Sequence, residues 1–189
     1  WLGVLDELAK IAGAEGAMLF AVSPGGPRVI ASPAIEGLIK AWSTSRWFQD
    51  NPRGQRLVPM PQPRFLTDHD AFTDDDMNNS DYYTEFLRPH GYGWCAGTTI
   101  RSPAGDMLIF SLERAHRKGP VPKEATAKLD AIRPHLGRAA LLSGRIGLAR
   151  IQASIAMLDL IGLPAAALGR SGKVIATNDR MFGLHPRIM

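Results

Sequence analysis

The sequence predicts an α+β fold: an antiparallel sheet flanked by helices and followed by one long helix. Three observations carry this. Two pairs of short apolar segments, within residues 17–31 and 93–114, are each joined by a Gly/Pro turn, as β-hairpins require. Apolar residues at helical spacing appear before, between and after these pairs. Beyond residue 122 that spacing continues from Lys123 to Gly162, further than one small domain needs.

Taken in order, Leu2, Leu5, Leu8, Ala9 and Ala12 form the apolar face of a first helix, which Gly13 or Gly16 ends. Residues 17–22 and 28–31 are strands around the turn Pro24-Gly-Gly-Pro27. Ser32-Pro33 opens a second helix through Ile35, Leu38, Ile39 and Trp42. Residues 46–70 are rich in Pro, Arg, Asn and Gln and predict a long loop, with one short strand near Leu57-Val58. Thr73-Asp-Asp-Asp76 marks the start of a helix carrying Tyr82, Tyr83, Phe86 and Leu87, and Pro89 and Gly91 stop it. Residues 93–101 and 107–114 are the second hairpin, with its turn at 102–106. The strand at 107–114 is apolar on both faces at its centre, so both faces should be covered. Pro134 lies inside the long helix and predicts a kink there. After Gly162 come strand, glycine turn, strand and a helix opening at Asn178, a second pattern that breaks off at Met189. The expected organisation is a sensor-like domain at 1–120, a signalling and dimerisation helix at 121–162 and the truncated start of another domain at 163–189.

The 189 residues include one cysteine, Cys95, so no internal disulfide forms, and a reducing, cytoplasmic setting is expected. The net charge of +4 is too mild to mark a nucleic-acid surface, and no apolar run is long enough for a membrane span.

The run Phe65-Leu-Thr-Asp-His-Asp-Ala-Phe-Thr-Asp-Asp-Asp76, with Tyr83-Thr-Glu-Phe-Leu-Arg-Pro-His-Gly-Tyr-Gly-Trp94, Phe110-Ser-Leu-Glu-Arg-Ala115 and residues 129–140, resembles the sensor region of bacterial LuxR-type helix-turn-helix regulators. The element order resembles the GAF/PAS class of sensor folds, and residues 163–182 resemble the opening of a PAS domain. This resemblance implies a regulatory region without enzymatic turnover. It would act as a homodimer, respond to a small-molecule effector or a partner, and pass the signal to a DNA-binding helix-turn-helix outside this chain. The competing readings are a dimerisation module that binds no ligand and the input domain of a signalling enzyme.

Metal or covalent chemistry finds little support. His69, His90, His116, His135 and His185 lack metal-ligand spacing. Asp74-Asp75-Asp76 reads as helix capping, and Cys95 as a buried strand cysteine. No cofactor is expected. The strongest binding signal is a set of aromatics across residues 42–94 with polar groups among them. The same aromatics would serve equally well as plain core. As a pocket, the expected ligand residues are Trp47, Asn51, Arg53, Tyr83, Phe86, His90, Trp94 and Thr98, with the Trp94/Thr98 face of its strand turned to the ligand. The expected dimer contacts are Leu136, Ile146, Ile151, Ile155 and Leu158.

Overall fold

The computed structural model describes residues 1–23, 26–101, 107–169 and 172–184. The expected turns at 24–25 and 102–106, the centre of the last glycine turn and His185 lie outside the described residues.

Helix α1 (Leu2–Ala12) buries Leu5, Leu8, Ala9 and Ala12 and ends at Gly13, whose φ of 59° is left-handed. Five strands form one antiparallel sheet: β1 (Gly16–Ser23), β2 (Gly26–Ala31), β3 (Leu66–Thr67), β4 (Tyr92–Arg101) and β5 (Met107–Ala115), in the order β2-β1-β5-β4-β3. The strand that is apolar on both faces, β5, sits at the centre with both faces covered.

One face packs on α1 and on the long helix α5 (Lys123–Leu160), through Ala17, Leu19, Ala96, Phe110, Leu112, Leu129 and Leu136. The other lies under the crossover, whose own core gathers Leu38, Trp42, Phe72, Met77, Tyr82, Tyr83, Phe86 and Leu87. The crossover holds α2 (Glu36–Ser43), α3 (Pro52–Leu57), α4 (Asp74–Asn78) and a π-helical turn at Tyr82–Leu87.

Two expectations for this region are corrected. Leu57 belongs to a helix, and the short strand is Leu66–Thr67. Asn51 caps α3 by accepting from the Gly54 N–H at 3.2 Å, and Pro52 stands at the first helical position, so the local signal is a helix start. The single helix expected behind Thr73 is split into α4 and the π turn. Thr73 and Asp76 form the capping box that starts α4.

Pro134 lies within α5. Beyond it the helix meets a hairpin of β6 (Ala166–Leu168) and β7 (Val174–Thr177), followed by α6 (Asp179–Phe182). Asn178 ties this piece together. It accepts from the Ala165 and Met181 N–H groups at 2.9 and 3.1 Å and donates to the Leu163 carbonyl at 2.8 Å.

Candidate functional site

The crossover does not seal its face of the sheet. A cavity of about 220 Å³ remains, floored by Met18 and Phe20 of β1, Cys95, Gly97 and Thr99 of β4, and Ile109, Ser111 and Glu113 of β5. Leu38, Ile39, Trp42, Phe48, Tyr82 and Phe86 close it from above, and the segment 58–66 forms one side. Most of these side chains are apolar, as small-molecule sites usually are.

A buried polar cluster stands at one end. Arg53 of α3 donates through Nε to Asp68 Oδ1 at 2.6 Å and through Nη1 to Glu113 Oε2 at 2.8 Å. The Tyr83 hydroxyl donates to Asp68 Oδ1 at 2.6 Å, the Cys95 N–H donates to Asp68 Oδ2 at 2.5 Å, and Ser111 donates to Glu113 Oε1 at 2.7 Å. Burial opposes the charge on Arg53, but Asp68 and the other acidic groups around it outweigh that and hold its pKa well above the ordinary value. Burial also pushes the Cys95 thiol and the Tyr83 phenol well up, so both stay protonated. One guanidinium thus faces two carboxylates. Two N–H groups on cavity-lining residues, Arg53 Nη2 and Trp42 Nε1, have no hydrogen-bond partner among the described residues.

The expected ligand residues divide in two. Asn51, Arg53, Phe86 and Thr98 border the cavity. Trp47, Tyr83, His90 and Trp94 stand away from it. Trp47 packs edge-on against Tyr82, with ring centres 5.3 Å apart. Tyr83 is spent on Asp68. His90 is exposed and bonds the Phe86 carbonyl at 2.7 Å. Trp94 donates to the His116 carbonyl at 3.1 Å and lies beside the rings of His69 and His116.

The expected strand face is also corrected. Thr98 touches the edge of the cavity, but it sits opposite Phe110 in the ladder and its hydroxyl is turned toward α5, where it accepts from Arg133 Nε at 2.8 Å. Cys95, Gly97 and Thr99, of the other parity, meet the cavity together with Ile109, Ser111 and Glu113. Sequence reasoning missed Trp42 as a donor and missed Asp68, Ser111 and Glu113 altogether. The alternation Ser111/Glu113 against Phe110/Leu112 was the available signal.

The expected dimer residues likewise fall on two faces of α5. Leu136 is in the core between the sheet and α5 at 3% exposure, and Ile155 is 8% exposed where the β6–β7 hairpin meets the helix. Ile151 is half-buried, whereas Ile146 and Leu158 are exposed. A different row, Leu142, Ile146, Ala149, Ala153, Ala156 and Leu160, is exposed throughout, at alternating spacings of four and three. By helical rotation it lies opposite Ile151 and Ile155.

No family model and no curated protein sequence matches this chain. Solved structures do. The ligand-binding domain of VqsR from Pseudomonas aeruginosa aligns with a TM-score of 0.53 at 19% identity, covering 76% of this chain and 84% of that one. CepR2 from Burkholderia cenocepacia, an N-acylhomoserine lactone dependent LuxR-family transcription factor, aligns with a TM-score of 0.52 at 13% identity, covering 74% and 80%. SdiA in complex with octanoyl-rac-glycerol aligns with a TM-score of 0.50 at 15% identity, covering 74% and 58%. The fold is that of the ligand-binding domains of LuxR-type regulators. No helix among the described residues is long and apolar enough to cross a membrane.

Proposed function

We propose that this chain is the sensor region of a transcription regulator, in which the cavity binds a small molecule and α5 carries the signal to a DNA-binding domain outside these 189 residues. Its chemistry is binding without turnover, in the cytoplasm. The observation that carries this reading is the apolar cavity, with two unpartnered buried N–H donors on residues that line it.

Those features also define the ligand class. A buried donor left unpaired costs about 1–3 kcal/mol, which a ligand acceptor reaching it would recover. Because Arg53 already faces both Asp68 and Glu113, a carboxylate ligand would add negative charge where it is hard to accommodate. The fitting ligand has an apolar body and an uncharged acceptor such as a carbonyl. The molecules named with CepR2 and SdiA, an acyl lactone and an acyl glycerol, are of this kind. The lactone dependence of CepR2 and the complex of SdiA with the glycerol ester, both on this fold, support the reading.

The relay uses a second copy of the chain. The exposed row from Leu142 to Leu160 has the heptad spacing of a coiled-coil seam, and its alanines let two helices approach closely. This row also supports the second reading, a dimerisation module that binds no ligand. Calorimetric titration with octanoyl glycerol and with octanoate separates the two. Saturable one-to-one binding of the glycerol ester, weaker for octanoate and abolished by Ile109→Trp in the cavity floor, is the expected result. No binding of any neutral acyl molecule, with the dimer intact, favours the second reading.

A further inference from the structure

The wall of the cavity is hydrogen-bonded directly to α5. Segment 58–66 lines the cavity through Val58, Met60, Gln62, Arg64 and Leu66. Its Phe65 N–H donates to Asp130 Oδ1 of α5 at 2.5 Å. One residue earlier, the Arg64 carbonyl accepts from the Thr98 hydroxyl at 3.0 Å, and that hydroxyl accepts from Arg133 Nε at 2.8 Å. Arg133 Nη2 also donates to the carbonyl of Thr99, another cavity residue, at 2.9 Å. Asp130 and Arg133 are both half-buried and contribute no apolar side chain to the core.

These two residues sit at the point where α5 bends most easily. Pro134 has no N–H, so the helix lacks its bond to the Asp130 carbonyl, and its ring crowds that same carbonyl. The residue whose carboxylate holds the cavity wall is therefore the residue whose carbonyl the proline leaves unbonded. Arg133, the second anchor, immediately precedes the proline. The exposed row beginning at Leu142 lies beyond this proline.

Resting on the sensor reading above, we propose that Asp130 and Arg133 are the coupling residues of this protein: when an occupant of the cavity displaces segment 58–66, they transfer the displacement to α5 at Pro134 and redirect the helix beyond it. They touch no ligand and act by position. The ligand biases the bend only to the extent that it binds the two positions of the wall unequally.

The test uses spin labels on Arg28→Cys of β2 and Ser154→Cys of α5, both exposed in the parent, with labelled chains diluted in unlabelled ones. The wall is disturbed in two ways, by adding octanoyl glycerol and, separately, by Val58→Trp, which puts an indole at the wall with no ligand present. Expected is a shift of the 28–154 distance distribution beyond its undisturbed width in the parent. In Asp130→Ala/Arg133→Ala, which removes the acceptor and donors of those bonds, that shift is lost while affinity for octanoyl glycerol is not lowered, which separates coupling from a merely structural role. An equal shift in the double variant, or no shift in the parent under either disturbance, overturns the proposal. If octanoyl glycerol does not bind, the sensor reading fails for that ligand, and the Val58→Trp arm still decides the coupling.

Discussion

Arg53 and Glu113 are sixty residues apart in the chain, yet Arg53 Nη1 lies 2.8 Å from Glu113 Oε2. Their side chains are only 6% and 7% exposed. The bond pins the crossover helix α3 to the central strand β5 at one end of the cavity. Asp68, 2.6 Å from Arg53 Nε, ties the start of the second crossover segment to the same guanidinium.

Removing that guanidinium leaves two carboxylates buried and unpaired. Arg53→Met should lower stability by about 3–5 kcal/mol, the usual cost of breaking a buried pair. Arg53→Lys should restore only part, because an ammonium lacks the planar fork that reaches Asp68 and Glu113 together. Urea unfolding measures both. A loss within about 1 kcal/mol, the range of an exposed pair, would show that the cluster is solvated.

Cys95 lies in this cluster, buried, with its thiol pushed up by burial and by the carboxylates. Alkylation of the native protein at neutral pH should be at least about tenfold slower than in denaturant, because the thiolate is the reactive form and access requires opening. Equal rates under both conditions would place Cys95 in an open, ionisable setting.

The two faces of α5 should respond differently to charge. If the proposed seam pairs two chains, Ile146→Asp, on the exposed row, should sediment as a monomer at protein concentrations of roughly tens of micromolar while keeping the parent's helix content by circular dichroism. Ile155→Asp, at 8% exposure, should instead loosen the β6–β7 hairpin, read by hydrogen exchange at residues 166–177. An Ile146→Asp chain that associates like the parent would remove the seam.

Acid should weaken the cavity wall through Asp70. Burial raises the pKa of this carboxyl, but the Arg64 and Thr67 hydrogen bonds outweigh that and hold it below its usual value. A depressed folded-state pKa means the stabilisation is fully present above the unfolded carboxylate pKa. It is lost as pH falls through the folded value. Asp70→Asn should therefore flatten the acid side of the stability–pH curve and leave its slope near neutrality unchanged. An acid limb as steep as the parent's would assign the effect to other carboxylates.

The sheet and its flanking helices were legible because their signals are local and periodic. The doubly apolar centre of β5 announced a covered strand, and the stripe through Leu129 and Leu136 announced a helix packed on it. The crossover was less legible. Its composition masked the Asn51–Pro52 helix start, and the Asp68 carboxylate is buried only because Arg53, Tyr83 and the Cys95 N–H converge on it. That convergence is tertiary. The cavity face was misassigned because Thr98 looked like a ligand group, whereas its pairing with Phe110 turns it toward α5; Trp94 does pack against the crossover core, but outside the cavity lining. On α5, one apolar stripe was visible where the helix has two. Ile146 belongs to the exposed row, and Leu136 and Ile155 to the covered one.

A ligand held between the sheet and the crossover would be seen by methyl NMR during titration with octanoyl glycerol. Ile39 and Ile109 line the cavity, while Ile11 and Ile132 pack on the opposite face of the sheet. The expected result is saturable shifts at Ile39 and Ile109, with ligand-to-methyl cross-peaks, and no direct cross-peaks at Ile11 or Ile132. Cross-peaks confined to the α1/α5 face, or shifts that never saturate, would mean that the cavity holds no ligand.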